Sequence, residues 1–576
     1  MKILILGRDY LPDELGEGFK AADKDPLEVE ETDLKQTVGY NDFEQYVHKT
    51  LTEYFGGHHE FDLIVLPYSF SEGNYTEYSG LIVAAHIRLT DEWGQSRTPL
   101  LFLGPDKKEE VVRFSSLGEI LETSKIFTSD KTDGQLILTD LLKADLKPLS
   151  ESQYQRFLQQ IKIDRPTNYP SHHSVANDWA LSRWIDLLKW PESNKPDIDF
   201  GHFKSMLYVK YIKSQLEIED EHIDEAWKEA NSVEAKIQNI SGKKIAVIED
   251  HKGWQEFFKI LIENSGAELE LFSDFDGSDT RDIFLDKVKQ FIDQIDNDTD
   301  VYVLDLRLHE SDNTANASDL TGHEVAEYIH AKNEANQVIV LTASNKVWNF
   351  MTEIEKCNAY GYIVKDSPED RSSAEQCIES FKKLTKAIEE AAYQSYIKDL
   401  LKVQRNFIKV DPAVSTINTL LISDGSLDKL TAGNVIVTDI VEFVKDHIKK
   451  NFTYNNQTLS DSKSIYASVC TNNKAYKVVD RSGQKPNTYR IYFPMVPIYG
   501  PVGLEAMDKF DIDILSLHFF YGINESLCQL YTTAKYERNN KLSHHGEMTT
   551  FRHESIKNLI TGVLLPILKQ DAGARL

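Results

Sequence analysis

Cysteine is scarce in this chain. Cys357, Cys377, Cys470 and Cys528 are the only four among 576 residues, and their spacing matches neither a metal-binding pattern nor a paired framework. That usage argues against a disulfide-stapled or zinc-clustered design and suits a reducing cytoplasm. Basic residues are also in deficit, 64 Lys plus Arg against 92 Asp plus Glu, and the net charge of −28 is a poor match to a phosphate backbone. Nucleic acid is therefore a disfavoured partner. The longest apolar stretch near the carboxyl end, Leu559 to Leu568, is interrupted by Thr561, Gly562 and Pro566 and is too short to span a bilayer. Strand-like residues begin at Lys2, so no signal peptide is expected, and no membrane partner either. Nucleophile elbow, P-loop, dinucleotide glycine motif and His-Glu-x-x-His spacing are all missing. The length is enough for three or four domains with separate cores.

What is present is a set of apolar runs that end in chemistry. Lys244-Ile245-Ala246-Val247-Ile248 ends in Glu249-Asp250, and the run from Val301 ends in Asp305. Val338-Ile339-Val340-Leu341 ends in Thr342-Ala343-Ser344, and Tyr362-Ile363-Val364 ends in Lys365. Runs of this kind suggest parallel strands buried on both faces, and open α/β sheets collect their chemistry at the carboxyl ends of such strands. Three acids facing one another make an oxygen-lined site suited to Mg²⁺. Asp305 could then attack a phosphoryl group, with the Lys365 ammonium and the Thr342 hydroxyl donating to the phosphoryl oxygens.

On these residues the segment from about 243 to 384 resembles the receiver domain of two-component response regulators. The resemblance implies a doubly wound, flavodoxin-like α/β fold. It also implies Mg²⁺ held by Glu249, Asp250, Asp305 and the carbonyl of Arg307, with Tyr362 as a switch that turns inward when Thr342 moves toward the phosphate. Two departures stand out. The proline that usually follows the lysine is delayed to Pro368 by Asp366-Ser367, and the loop from Glu310 to Leu320 is longer than usual and could shield or gate Asp305.

The amino terminus repeats the pattern without the chemistry. Asp62-Leu63-Ile64-Val65-Leu66-Pro67 lines up with Asp300-Val301-Tyr302-Val303-Leu304-Asp305, which puts Pro67 at the acceptor position. Gly80 to Ile87 lines up with Gly322 to Ile329. Gly7-Arg8 stands where Glu249-Asp250 should be, Gly104 replaces the threonine, and Asp130 falls near the position of Lys365. Residues 1–145 are thus expected to form a pseudo-receiver that cannot be phosphorylated, since Arg8 repels a metal and Pro67 has no nucleophile. The polar loop Gly56-Gly57-His58-His59 reads as a turn rather than a metal site.

Residues 146–242 read as a helical connector. Trp179, Trp184, Leu187 and Leu188 fall on one packed face, and the charged run from Ser214 to Asn239 reads as a solvated helix. A long helix is expected from Pro368 to Phe407, with 385–407 as linker. Residues 408–576 read as an unrecognised α+β domain: helices around 429–451, strands within 463–499, including Ile465 to Val469 and Tyr489 to Phe493, and helices from Ile512 onward. Phe551-Arg552-His553-Glu554 with Asn558 resembles the phosphorylatable histidine box of sensor kinases. Only 23 residues follow His553, too few for a nucleotide-binding domain, so a helical surface histidine is expected. His544, His545, Glu547 and His553 lack metal-site spacing.

The leading expectation is a bacterial response regulator. A partner histidine kinase or phosphotransfer protein phosphorylates Asp305, and the receiver pairs through its faces, as a homodimer or with its flanking non-DNA-binding domains. The alternatives are a phosphate sink that buffers another regulator, for which a phage-defence operon is an analogy, and an enzyme with an unrecognised carboxy-terminal site gated by the receiver.

Overall fold

The computed structural model describes residues 1–11, 15, 28–32, 40–56, 60–71, 78–141, 143, 145–165, 172–219, 233–313, 319–343, 359–368, 372–405, 436–445, 447, 453–454, 457–458, 478–480, 489–493, 496–497, 517, 521–537 and 553–573. The apolar runs become strands. β1 (Lys2–Leu6), β2 (Glu28–Thr32), β3 (Leu63–Pro67), β4 (Leu100–Leu103) and β5 (Ile126–Ser129) form a parallel sheet in the order 2-1-3-4-5. β6 (Lys244–Ile248), β7 (Glu268–Phe272), β8 (Val301–Leu304), β9 (Gln337–Thr342) and β10 (Gly361–Val364) form a second parallel sheet with the same order, read as 10-9-8-6-7. This is the doubly wound, flavodoxin-like arrangement expected twice.

Helices follow the strands. The first unit carries α1 (Tyr40–Phe55), α2 (Ser79–Arg88), α3 (Lys108–Phe114) and α4 (Gly134–Leu141). The connecting segment holds α5 (Glu151–Gln160), α6 (His172–Leu187), α7 (Gly201–Ser205) and α8 (Leu207–Glu219). The second unit has α9 (Lys252–Asn264), α10 (Arg281–Ile295), α11 (Thr321–Lys332), α12 (Ala374–Gln394) and α13 (Tyr396–Arg405). Their starts follow local chemistry: Ser150 with Gln153 and Ser373 with Gln376 make reciprocal capping boxes for α5 and α12, and Thr280 caps α10.

The internal repeat is visible atom by atom. Ile3 pairs with Leu63 as Ile245 pairs with Val301. The carboxylates of Asp62 and Asp300 accept the backbone N–H of Lys2 (2.7 Å) and Lys244 (2.9 Å). Gly80 N–H donates to Tyr68 O and Gly322 N–H to Leu306 O, both at 3.0 Å. In each unit the glycine lets a helix touch the preceding strand end: a Cβ at Gly80 would lie 2.0 Å from Pro67 O, and one at Gly322 would lie 2.3 Å from Asp305 O. The registers therefore equate Pro67 with Asp305, Gly7-Arg8 with Glu249-Asp250 and Gly104 with Thr342. They equate Lys131, one residue beyond Asp130, with Lys365.

Three expectations change. The connector helix α6 is no one-faced amphipath: Ala180, Leu181 and Ile185 are buried along with Trp179, Trp184, Leu187 and Leu188, because α6 is packed into a core shared by both α/β units. The charged helix does not reach Asn239. Residues 233–239 are irregular, Lys189 and Glu234 form a bridge, and Ala235 and Ile237 are buried while Glu234, Lys236, Gln238 and Asn239 stay exposed, so the apolar residues of this stretch are anchored in the core. The helix expected from Pro368 begins at Ala374 and breaks at Ser395, whose hydroxyl accepts from Lys243 Nζ at 2.8 Å and donates to Asp300.

Farther on, residues 436–445 are helical, β11 (Thr453–Tyr454) pairs antiparallel with β12 (Gln457–Thr458), and β13 (Val478–Asp480), β14 (Tyr489–Phe493) and β15 (Val496–Pro497) form a small antiparallel sheet. The strand expected at Ile465 to Val469 lies outside the described residues. The helices α14 (Glu525–Glu537), α15 (His553–Leu559) and α16 (Leu565–Gly573) follow, with one π turn at Ile560–Leu564 between the last two. α16 packs on α13, and the Lys557 ammonium lies 3.7 Å from the centre of the Tyr393 ring. His553 opens α15, while His544, His545 and Glu547 lie outside the described residues. Among the described residues no helix is long and apolar enough to cross a membrane.

Candidate active site

The parallel register of β6, β8, β9 and β10 brings Glu249, Asp250, Asp305, Thr342 and Lys365 to one rim. Carboxylate oxygens of Glu249, Asp250 and Asp305 all lie within 4.8 Å of one another. Glu249 and Asp305 are buried, at 2% and 4% exposure, whereas Asp250 is on the open edge. Lys365 is fully buried and divides its ammonium between Glu249 Oε2 at 2.7 Å and Asp305 Oδ2 at 2.8 Å. Its backbone N–H donates to Thr342 O at 2.7 Å, which ties the lysine loop to the end of β9. Arg307 N–H donates to Asp305 Oδ1 at 3.1 Å, so the chain turns back over the acceptor.

Lys365 bonds two of the three acids and the Arg307 charge also acts on Asp305, yet the carboxylates still crowd one another. Burial and the charges of Asp305 and Asp250 raise the Glu249 carboxyl against the pull of Lys365. Asp250 is raised to about 6, first by desolvation and then by Asp305; its side chain reaches the surface, but the crowded mouth of the site desolvates it. Burial alone would lower Lys365, yet Asp305 and Glu249 outweigh it and hold the ammonium above its usual range. An all-oxygen donor set with one open edge fits Mg²⁺, which keeps several of its waters, better than a softer metal.

Tyr362 is half-buried against Leu306, Leu320, Val340 and Ala359, and its buried hydroxyl has no hydrogen-bond partner among the described residues. Burial raises that phenol, with the Asp305 charge second. Ser344 lies outside the described residues, as do residues 314–318 of the loop expected to shield the site. The described part of that loop is pinned: the buried Asp312 carboxylate accepts from Leu308 N (3.0 Å), His309 N (3.1 Å), Thr321 N (3.1 Å) and the Thr321 hydroxyl (2.8 Å). No peptide bond among the described residues is cis, so the delayed proline leaves the lysine loop in the ordinary isomer.

Sequence reasoning missed four residues around the site. Trp254 lies beneath the lysine, with Lys365 Nζ 4.8 Å from its ring centre. His251 caps α9 by accepting from Trp254 N–H and meets Asp178 Oδ1 through Nε2 at 3.1 Å. Asp366 is buried and accepts from Trp184 Nε1 at 3.1 Å. Asp312 is the fourth. The aromatic string Trp254, Phe257, Phe258 was the available signal for the first, while the others depend on long-range partners that no local pattern encodes.

In the first unit the same rim holds no acid cluster among the described residues. Tyr68 is buried and stacked on Phe102 with centroids 5.5 Å apart, and Tyr10 meets Phe70 edge-on at 6.2 Å. Lys131, at the lysine position, turns outward and pairs with Asp140. His58 and His59 lie outside the described residues.

Residues 23–128 match the family described as the Inactive Receiver domain, which fits the pseudo-receiver expected there. No curated protein matches the chain. Among solved structures, a response regulator receiver domain protein from Clostridium thermocellum matches at 20% identity and TM-score 0.20, covering 27% of this chain and 98% of that one. A CheY-like receiver protein from Methanospirillum hungatei matches at 20% identity and TM-score 0.18 over 26% and 98% of the two chains. A LuxR-family response regulator from Aurantimonas sp. matches at 18% identity and TM-score 0.19 over 25% and 86%. The doubly wound fold itself rests on the strand order and registers described above.

Proposed function

We propose that this protein is a phosphorylation-controlled regulator in which Asp305 of an active receiver unit (residues 243–384) accepts a phosphoryl group, while the pseudo-receiver of residues 1–145 takes no part in the chemistry. The observation that carries this reading is the convergence of Glu249, Asp250 and Asp305 within 4.8 Å, with the buried Lys365 bonded to two of them. Glu249, Asp250, Asp305 and the Arg307 carbonyl would hold Mg²⁺, which when bound offsets the crowded negative charge of acids and phosphoryl group. The donor is a partner histidine kinase or phosphotransfer protein. An Asp305 carboxylate oxygen bonds to phosphorus, the phosphorus–nitrogen bond of the donor phosphohistidine breaks, and the electron pair leaves on the imidazole nitrogen, which takes a proton. Lys365 donates to a phosphoryl oxygen, the Thr342 hydroxyl donates to another, and Tyr362 reports the change to the surface.

Residues 146–242 serve as connector, 385–407 as linker and 408–576 as an output or interaction domain, with pairing through receiver faces. The reading places the protein in the cytoplasm, where such kinases deliver phosphoryl groups. The test is intact-mass analysis of the wild type and Asp305→Ala after incubation with Mg²⁺ and a small phosphoryl donor, then with a purified kinase. One added phosphoryl group on the wild type alone supports the reading. No labelling from either source would make Asp305 a vestige. Deleting residues 408–576 separates an output-bearing regulator, which loses its function, from a phosphate sink, which keeps it.

A further inference from the structure

Helix α6 belongs to neither α/β unit, yet it reaches two loops of the candidate site. Asp178, Leu181 and Trp184 stand at intervals of three residues and so share one helical face. Asp178 Oδ1 lies 3.1 Å from His251 Nε2. Because His251 Nδ1 accepts the Trp254 N–H, the ring hydrogen is on Nε2 and points at Asp178. His251 is the residue after Asp250. At the other end, the Trp184 indole N–H donates to Asp366, the residue after Lys365, at 3.1 Å. Between them Leu181 approaches Gly253 so closely that a Cβ there would lie 2.5 Å from Leu181 Cδ2.

The contact also runs through rings. Trp184 meets Trp254 edge-on with centroids 5.2 Å apart, and Trp254 carries the Lys365 ammonium 4.8 Å from its ring centre. Lys365 in turn bonds Asp305 and Glu249. An unbroken sequence of contacts therefore leads from α6 to the acceptor, and all of its members except Asp178 and His251 are buried. The buried residues of α6 belong to one continuous hydrophobic cluster that also includes Phe43, Leu51 and Leu81 of the first α/β unit.

We propose that α6 is the surface on which the site is read: Asp178 and Trp184 are positioning residues that hold the loops of Asp250 and Lys365, and they pass the state of Asp305 to the N-terminal half. The inference rests on the reading of Asp305 as phosphoacceptor and adds its internal partner. When Lys365 gives up a carboxylate for a phosphoryl oxygen, its ammonium over Trp254 and the loop that carries Asp366 must both readjust, and Trp184 touches both the Trp254 ring and the Asp366 carboxylate. A physical route of packed, hydrogen-bonded groups with two arrangements is what coupling between sites requires. Ordinary coupling of this kind changes equilibria by about fivefold or more.

The test is hydrogen exchange followed by mass spectrometry on the full chain, with Mg²⁺ alone and with Mg²⁺ plus beryllium fluoride as phosphoryl mimic. In the wild type the exchange of residues 172–187 changes by about fivefold or more, together with that of residues 249–254. Trp184→Phe keeps an aromatic ring but loses the indole N–H, and Asp178→Ala loses only the carboxylate. In both, residues 249–254 still respond while the response of 172–187 falls to less than half, and the labelling rate at Asp305 changes without a matching change in melting temperature. A wild-type response confined to the site loops overturns the inference and leaves the proposed function standing. Absence of any response at 249–254 overturns the proposed function and the inference with it.

Discussion

Lys365 stands between two buried carboxylates with no access to water, and its removal and that of Asp305 should differ sharply. Lys365→Met leaves Glu249 and Asp305 as uncompensated buried acids and is expected to cost about 3–5 kcal/mol. Asp305→Ala keeps the Glu249 pair and removes a repelling charge, so its cost should stay below about 1 kcal/mol. Urea unfolding followed by tryptophan fluorescence measures both. A second buried lysine makes a pH prediction. Lys210 Nζ bonds His48 Nδ1 and His86 Nδ1 at 3.0 Å each and Thr90 Oγ1 at 2.7 Å, and it lies 4.8 Å from the Trp93 ring centre. Glu44, Glu92 and Lys213 are the other charges that act on it, and the same burial keeps both histidines neutral. Burial pulls this ammonium from 10.5 to about 7. Between those values the unfolded chain binds more protons than the folded one, so the penalty is fully present below about pH 7 and is relieved as pH rises. The wild type should gain on Lys210→Met by up to about 1.4 kcal/mol per pH unit above pH 7, read from paired melts at pH 7 and 9.

At the scale of elements, the two glycine contacts give matched variants with different consequences. Gly322→Ala would put a Cβ against Asp305 O and Leu306 Cα, both backbone atoms that cannot rotate away. It is expected to cost about 3 kcal/mol, the upper end for overpacking, and to slow phosphoryl uptake because the displaced atoms carry the acceptor. Gly80→Ala meets Pro67 O and Tyr68 O in the same way and should cost as much, with labelling at Asp305 unchanged. Denaturant midpoints and intact mass together separate these outcomes. Legibility also varies by element. The strands β1, β3, β6, β8, β9 and β10 were readable because each is a short apolar run, whereas β2 (Glu28–Thr32) and β7 (Glu268–Phe272) interleave acids with apolar residues and gave no such signal. The extent of the charged helix was misjudged, since burial of Ala235 and Ile237 beneath distant side chains outweighs local helical pattern.

For the whole molecule, the main fact is that each α/β sheet keeps a core of its own on one face while its other face belongs to one hydrophobic cluster common to both units and α6. Trp184 of α6 packs on Trp254, Phe257 and Phe381 of the second unit, so that unit alone would present these rings to water. Each exposed ring forfeits about 1.5–3 kcal/mol of burial. Residues 233–405 expressed alone should therefore melt well below residues 1–405 and bind a hydrophobic dye that the longer chain does not. Equal melting temperatures would mean that α6 adds nothing to the second unit.

The amino-acid order by itself determined the two α/β units, the strand ends that bear Glu249, Asp250, Asp305, Thr342 and Lys365, and the loss of that chemistry in the first copy. Those features are local: apolar runs make strands, parallel strands align their ends, and a proline or glycine at a strand end removes an acid wherever the fold places it. Only the tertiary structure decided that Lys365 divides its ammonium between Glu249 and Asp305, that Asp312 pins the acceptor loop, and that Trp184 reaches Asp366 across 182 residues of chain. Such contacts depend on which helix faces which loop after packing, a choice made by shape and burial among distant segments that no periodicity along the chain records.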